Sequence, residues 1–372
     1  MSGKYSMREK WFHFLGGEDV GTVVSPLCDD WSLDIPYYWP YDDADPFPPR
    51  SKYHGVSQQM AMAGVCGWDP TFLAAVPFNP INKDILPETK SQTIDGRVRI
   101  ESHIKTPYGD LISITDRSVS EHTVKAWLES EDDYRKAIWL TRQQLEYDED
   151  LAIEEGKYIR KGIGDRGVLG TWYGPPIVNL QTREEIFYHI VDWPELFDEL
   201  HAVTSELALK RVDTLRKAGF DYLFYCVSGT EWISPAFFRK YILENTRKIF
   251  DRWQSQERFI LWHSCGHLKT FVNEGFYNEL EPEILETLSV PPVGDLPTLQ
   301  WARQRLSPDI ITKGNIPLNI LLNGTEKEVR SEVCKVKEET QGYRHIVGLS
   351  DDVLHNTPLS NCLALVNEAR QD

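Results

Sequence analysis

The ten residues Arg258-Phe-Ile-Leu-Trp-His-Ser-Cys-Gly-His267 combine a short apolar run with a His-x-Cys-Gly motif. A run of this length bounded by polar residues is typical of a buried strand. Because alternate residues of a strand face the same side, we expect His263 and Cys265 to project together at its carboxyl end. An imidazole nitrogen and a thiolate sulfur suit zinc, which needs a third protein ligand at a catalytic site. The pair alone does not establish a metal site, since a buried cysteine is usually a small hydrophobic residue.

The sequence on both sides of this run repeats the same pattern from about residue 165 onward. Further apolar runs predict strands at 167–172, 222–228, 310–314 and 345–349, and amphipathic stretches predict helices at 193–218, 234–255, 331–341 and 359–369. Ser234 followed by Pro235 is a typical helix start. Alternating strands and helices predict an α/β fold with a parallel sheet covered by helices. A closed (β/α)8 TIM barrel is the simplest solution, and a doubly wound open sheet is the alternative.

Polar side chains follow the predicted strands, at the end of a barrel where catalytic residues collect. Each also has a structural interpretation, because Gly-Asn and Gly-Asp sequences form turns and Asp residues cap helices. The repeated placement after apolar runs favours a functional role. The candidate catalytic residues are Glu231, Asp295, Lys313 and Asn315, with Ser228 as a candidate substrate-binding residue, and Asp351 follows another of these apolar runs.

The first hundred residues differ from the rest of the chain in composition and periodicity. Residues 25–50 are rich in Pro, Asp and aromatic side chains and show little periodicity, which predicts an irregular covering segment. Trp31, Tyr37 and Trp39 either line a substrate pocket or cap the core. We expect one domain over residues 1–372, with residues 1–100 forming an N-terminal helix and this covering segment.

The composition excludes several classes of protein. The 372 residues carry 40 Lys and Arg against 57 Asp and Glu, so the net charge is 40 − 57 = −17. With a pI near 5.1, a nucleic-acid partner is not expected. No run approaches the roughly 20 apolar residues that span a membrane, and no secretory signal is visible. The six cysteines are scattered along the chain, which fits a reducing compartment, so we expect a cytoplasmic protein.

One glycine pattern is misleading. Gly162-Ile-Gly-Asp-Arg-Gly167 satisfies the G-x-G-x-x-G spacing of dinucleotide-binding loops. Such a loop follows a strand and opens a helix, whereas this one follows a charged helical stretch and precedes an apolar run. We therefore expect no nicotinamide site here.

An ordered set of motifs carries a resemblance to a known family. The elements lie at residues 7–17, 105–111 (Lys-Thr-Pro-Tyr-Gly-Asp-Leu), 229–235, 263–266 (His-Ser-Cys-Gly), 291–295 (Pro-Pro-Val-Gly-Asp), 313–316 and 356–358. In this order the chain resembles the uroporphyrinogen decarboxylase superfamily, and its methyltransferase branch more than its decarboxylases. The resemblance runs through most of the chain and implies a (β/α)8 barrel.

The resemblance also implies a zinc site with one departure from the family pattern. In these methyltransferases a His-x-Cys pair and a later Cys, just before an x-Thr-Pro element, hold zinc. Aligning Asn356-Thr-Pro358 places Asp351 where that cysteine would stand. Either Asp351 replaces the thiolate as an oxygen ligand, or Glu231 is the third ligand and Asp351 orients His263 or a water. A site without metal is the remaining alternative.

The function implied is a zinc-dependent methyltransferase that moves a methyl group between a corrinoid protein and a small substrate, either a thiol or a methoxy or methylamine compound. Acidic residues stand where porphyrinogen decarboxylases carry a basic segment, which disfavours a polycarboxylate substrate. They are Asp29, Asp30, Asp34, Asp42, Asp43 and Asp45. One alternative is a metal-independent decarboxylase or lyase using Asp295, Lys313 and Glu231 for acid–base chemistry. Another is a non-catalytic protein of a corrinoid (cobalamin) pathway.

Overall fold

The computed structural model describes residues 4–28, 46–48, 50–176 and 183–371. The chain divides into two compact units, of which the first comprises Met1–Val76, Ile153–Pro175 and Leu215–Asp372 and the second Pro77–Ala152 and Pro176–Thr214. The prediction of a single domain over 1–372 stays a prediction. The residues that would form the covering segment, including Trp31, Tyr37, Trp39 and the six aspartates named above, lie outside the described residues.

The strands form two sheets. In chain order they are β1 (Val23–Val24), β2 (Thr71–Leu73), β3 (Glu88–Ile94), β4 (Arg97–Ile104), β5 (Leu111–Arg117), β6 (Glu121–Lys125), β7 (Val168–Tyr173), β8 (Tyr222–Val227), β9 (Phe259–Ser264), β10 (Ile284–Thr287), β11 (Ile311–Ile316) and β12 (His345–Leu349). The first unit holds eight parallel strands in the order β1-β12-β11-β10-β9-β8-β7-β2. This is the sheet of a (β/α)8 TIM barrel, so the predicted α/β fold class is confirmed.

Helices follow most of the barrel strands. The helices of the described residues are α1 (Met7–Leu15), α2 (His54–Cys66), α3 (Glu131–Gln144), α4 (Glu149–Ile163), α5 (Arg183–Asp192), α6 (Pro194–Ala218), α7 (Pro235–Phe237), α8 (Glu244–Trp253), α9 (Lys269–Glu274), α10 (Phe276–Leu280), α11 (Leu299–Arg303), α12 (Leu318–Asn323), α13 (Glu326–Glu339) and α14 (Leu359–Ala369). A π-helical turn, Phe238–Leu243, joins α7 to α8. Ser234 caps α7 as predicted, since its side chain accepts a hydrogen bond from the Phe237 N–H. Among the described helices, none is long and apolar enough to cross a membrane.

The interior of the barrel is filled by alternate residues of its strands. Tyr222 and Phe224 of β8 belong to the same buried cluster as Phe259 and Leu261 of β9. Tyr222 is fully buried, and its hydroxyl donates to the carbonyl of Phe72 at 3.2 Å. A Cβ on Gly170 of β7 would lie 2.2 Å from its ring, so only glycine leaves room for this side chain.

Strands β1 and β2 are the two ends of the strand order, and Asp69, just before β2, hydrogen-bonds to β1. The Asp69 N–H donates to the Val24 carbonyl at 2.6 Å, and its Oδ2 accepts from the Val24 N–H at 2.9 Å. Lys10 of α1 donates to Oδ1 at 2.6 Å, and Arg370, which follows α14, donates to Oδ2 at 3.2 Å. The side chain of Asp69 is only 1% exposed, so its charge is balanced by these two cations rather than by water.

A second buried carboxylate lies just before β8. Asp221 accepts two hydrogen bonds from Arg8 through Oδ1, at 3.0 and 2.7 Å. Its Oδ2 accepts from Arg160 at 2.6 Å and from the backbone N–H of Leu169 at 2.8 Å. Helices α1 and α4 are thereby joined to strands β7 and β8.

The second unit contains an antiparallel sheet in the order β3-β4-β5-β6, with a register shift between Ile114 and Thr115. Within the same unit, the Tyr134 hydroxyl of α3 lies 3.1 Å from Nδ1 of His189 in α5.

The misleading glycine segment, residues 162–167, begins in the last turn of α4 and ends directly before β7, so it follows a helix and precedes a strand as the sequence predicted.

Candidate metal centre

Four polar side chains form one row across neighbouring strands of the barrel. Parallel pairing places Cys226 of β8 beside His263 of β9, His263 beside Glu286 of β10, and Glu286 beside Lys313 of β11. In β8 and β9 the residues two and four positions before the row belong to the buried interior cluster. In β10 and β11 the residue two positions before the row does. Alternate residues share a face, so all four side chains belong to the inner face of the barrel near the carboxyl ends of its strands.

Three predicted ligands converge beside this row. Nε2 of His263 lies 2.6 Å from Sγ of Cys265 and 3.8 Å from Oδ1 of Asp351. One ligand atom from each of the three residues lies within 4.8 Å of the others. His263 is buried, whereas Cys265 and Asp351 are partly exposed, so the group faces outward from the end of the barrel.

The donor set fits zinc. Tetrahedral zinc has bonds of about 2.0–2.3 Å to nitrogen, oxygen and sulfur, which places donor atoms about 3.3–3.6 Å apart. The separation of Nε2 from Oδ1 is close to that range, whereas Sγ of Cys265 would move away from Nε2 by about 1 Å. Three protein ligands also leave one position for water or substrate.

The loop that carries Cys265 is held from the neighbouring strand. Thr230, in the 3-10 turn Thr230–Trp232 after β8, donates to the carbonyl of His267 at 2.9 Å and approaches that of Cys265 at 3.4 Å. Gly266 has a φ of +96°, a conformation that L side chains rarely adopt. The turn and the glycine together fix the backbone position of Cys265.

Behind His263 lies a buried ionic network. Nδ1 of His263 lies 2.6 Å from Oε1 of Glu286, and Nζ of Lys313 lies 2.5 Å from Oε2 of the same carboxylate. Burial opposes ionisation of Glu286, but the charge of Lys313 and the hydrogen bond from His263 hold its pKa below the ordinary value. Burial likewise opposes protonation of His263, but its hydrogen bonds to Cys265 and Glu286 raise its pKa well above the ordinary value in the metal-free chain.

The other predicted site residues have hydrogen-bond partners of their own. Asp295 accepts from the backbone N–H of Lys269 at the start of α9 at 2.9 Å, and Asn315 donates to the carbonyl of Leu288 at 2.9 Å. Ser228 lies 3.2 Å from Sγ of Cys226. Their proposed roles stay predictions.

Glu231 is not among the three converging ligands. It is exposed, and a Cβ on Gly266 would lie 2.6 Å from its Oε2, so its carboxylate lies against the Cys265 loop.

Two residues of the centre were missed by the sequence analysis. Glu286 was missed because β10 was not predicted, although an ionisable residue in an apolar run is a signal for a paired charge. Trp172 was treated only as part of a strand. It is 46% exposed, packs edge-on against Phe224 at 4.4 Å between ring centroids, and has its ring centroid 6.5 Å from that of His263.

A family comparison agrees with these features. A model of the uroporphyrinogen decarboxylase (URO-D) family matches residues 179–371. That range is more than half of the 372 residues. The chain belongs to the URO-D family. The resemblance inferred from the ordered motifs is therefore confirmed, and the matched range contains β8 to β12 with the three candidate ligands, Glu286 and Lys313.

Individual relatives of this URO-D family chain are distant. A uroporphyrinogen decarboxylase from Gluconobacter oxydans is 25% identical over 194 residues, which cover 51% of this chain and 50% of that protein. The chain thus spans half the length of this curated relative. A methyltransferase from Methanosarcina mazei is 14% identical, covers 98% of both chains and superposes with a TM-score of 0.60. At that identity the likeness shows a shared fold.

Proposed function

We propose that the chain is a zinc-dependent methyltransferase that moves a methyl group between a corrinoid protein and a small methylated substrate. The observation that carries the proposal is the convergence of His263, Cys265 and Asp351 at the end of a barrel. The fold shared with a methyltransferase is compatible with methyl transfer, and the three-ligand group supports it over a metal-independent decarboxylation. The corrinoid partner comes from the resemblance of the sequence motifs.

Each of the three ligands would have its own role in holding the zinc. His263 would bind through Nε2, and Cys265 and Asp351 would each contribute one negative charge. Asp351 is 37% exposed, so it would face a substrate that enters from solvent. Zinc held here would supply a Lewis acid that lowers the pKa of a bound thiol or polarises the oxygen of a methyl ether. A carboxylate in place of a second thiolate makes the set harder, which favours the ether.

The aromatic surface beside the site supports the same substrate. The half-exposed indole of Trp172 provides an apolar face close to His263. An aromatic methyl ether would stack there with its methoxy oxygen near the open coordination position. We therefore favour a methoxylated aromatic compound over a small thiol or a methylamine.

Metal content is the first test. Protein purified without added metal should contain about one zinc per chain by elemental analysis, as a three-ligand site predicts. His263→Ala, Cys265→Ala and Asp351→Ala should each lose it. Matched exposed residues serve as controls, and His122→Ala, Cys334→Ala and Asp309→Ala should retain the metal. Zinc retained in Asp351→Ala but lost in Glu231→Ala would instead make Glu231 the third ligand.

Methyl transfer is the second test. The zinc-loaded protein is incubated with cob(I)alamin and methoxybenzoates, methylamines or methylated thiols, and methylcob(III)alamin formation is followed by its absorbance. We expect turnover with a methoxybenzoate that is lost in Asp351→Ala. If the purified protein contains no metal and does not bind added zinc, the proposal is overturned and the decarboxylase or lyase alternative is favoured. A zinc-loaded protein inactive with every substrate would favour the non-catalytic alternative.

A further inference from the structure

The ionic network behind His263 has a geometry that bears on which ring nitrogen can bind metal. His263, Glu286 and Lys313 have side chains that are 4%, 3% and 2% exposed, so water supplies almost none of their hydrogen bonds. Each carboxylate oxygen of Glu286 has a separate partner: Oε1 faces Nδ1 of His263, and Oε2 faces Nζ of Lys313.

A carboxylate paired with a lysine can only accept hydrogen bonds. Nδ1 of His263 must therefore carry the proton that lies between it and Oε1. In a neutral imidazole the lone pair is then on Nε2, which is the nitrogen that faces Cys265 and Asp351. The strand pairing adds to this arrangement, because Glu286 stands in register with both His263 and Lys313.

We propose that Glu286 and Lys313 are positioning residues for the metal centre: Glu286 fixes the ring orientation and tautomer of His263, and Lys313 holds Glu286 in place and keeps it out of the ligand shell. The inference rests on the proposed function, since it assigns the network to the same metal. It goes beyond that function by giving a role to two residues that bind neither metal nor substrate. Carboxylate partners of ligating histidines act in this way in metalloproteins generally.

The test separates the hydrogen bond to His263 from the ion pair. Single replacements are unsuitable by themselves, because removing one partner leaves a buried charge uncompensated. Two double variants avoid this problem. Glu286→Gln with Lys313→Met removes both charges but keeps an amide oxygen that can accept from Nδ1. Glu286→Met with Lys313→Met removes both charges and the acceptor, with side chains of similar length.

Zinc dissociation constants are measured by competition with a chromophoric chelator, and folding is checked by urea unfolding of the same samples without metal. We expect the Gln/Met variant to bind zinc at least tenfold more tightly than the Met/Met variant, within the 10–100-fold range typical of such partners. A purely structural role would change the two urea midpoints and leave the two dissociation constants equal.

Each outcome has a distinct meaning. Equal zinc affinities of the two folded variants, with zinc bound by the unmodified protein, would overturn this inference and leave the proposed function intact. Failure of the unmodified protein to bind zinc would overturn the proposed function and the inference together. If only the Met/Met variant fails to fold, replacing it by Glu286→Leu with Lys313→Met repeats the same comparison.

Discussion

Oε2 of Glu231 lies so close to Gly266 that a Cβ on Gly266 would be 2.6 Å from it. The two residues belong to loops that follow adjacent strands, β8 and β9, and Thr230 joins the same loops by its hydrogen bond to the His267 carbonyl. Glu231 therefore lies against the segment that carries Cys265.

Gly266→Ala should destabilise the chain by about 1–2 kcal/mol, the usual cost of a non-glycine residue in a left-handed conformation. The strain comes from the φ of +96°, since the flexible end of Glu231 can move aside. Gly266→Ala should therefore cost as much stability in a chain that carries Glu231→Ala as in the unmodified chain. Urea unfolding of the metal-free proteins measures this, and full rescue by Glu231→Ala would show that the side-chain contact is the cause instead.

Gly170→Ala should cost about 3 kcal/mol, because its Cβ would lie 2.2 Å from the fully buried ring of Tyr222 and overpacking is rarely relieved in a core. The double variant Gly170→Ala/Tyr222→Leu should cost less than the sum of the single variants. Gly64→Ala is the matched control: its Cβ meets nothing within 4 Å in helix α2, so stability should stay the same or rise. Additive costs for Gly170 and Tyr222 would contradict the steric explanation.

Asp221→Ala should destabilise the chain by about 3 kcal/mol, because it leaves Arg8, Arg160 and the Leu169 N–H without their shared acceptor. The exposed carboxylate of Glu257 provides a control, and Glu257→Ala should change the free energy of unfolding by less than about 0.5 kcal/mol. A loss below about 1 kcal/mol for Asp221→Ala would show that water replaces the carboxylate.

The pH dependence of stability should contain a contribution from His345. Burial lowers its pKa to about 4, and its neutral ring lies 2.9 Å from the Thr312 hydroxyl and 2.8 Å from the Gly314 carbonyl. An unfolded histidine has a pKa near 6.5, so between pH 6.5 and 4 the unfolded chain binds a proton that the folded chain does not. The free energy of unfolding should therefore fall as the pH falls, by about 1–3 kcal/mol from this residue.

Urea unfolding of the metal-free protein and of His345→Gln, at pH 7, 5 and 4, isolates that contribution. The stability of His345→Gln should decrease less on acidification than that of the unmodified chain. Parallel pH profiles for the two proteins would mean that His345 titrates normally or takes up its proton without strain.

The sequence predicts the barrel well where a strand is a continuous apolar run. The predicted strand at 222–228 corresponds to Tyr222–Val227, and the predicted strand at 345–349 to His345–Leu349. His263 and Cys265 were predictable as a pair because alternate residues at the end of one strand face the same side, whereas Asp351 was added to them by the family resemblance.

Other parts could not be predicted, for identifiable physical reasons. Strand β1 has two residues, too few to show a periodicity. Strand β3 is exposed along its whole length, so it lacks the alternation of buried and exposed residues that marks a strand. Glu286 is compatible with a buried strand only because Lys313 stands beside it, and that pairing depends on tertiary register rather than on local sequence.

The ion pairs of Asp69 have a consequence for how the chain folds during its synthesis. One of the cationic partners of Asp69, Arg370, lies 301 positions later in the chain, and β1 pairs with β12 rather than with a strand close in sequence. A nascent chain on the ribosome cannot close the ring until β12 has emerged. Until then the side of β1 that pairs with β12 in the folded chain has no strand beside it.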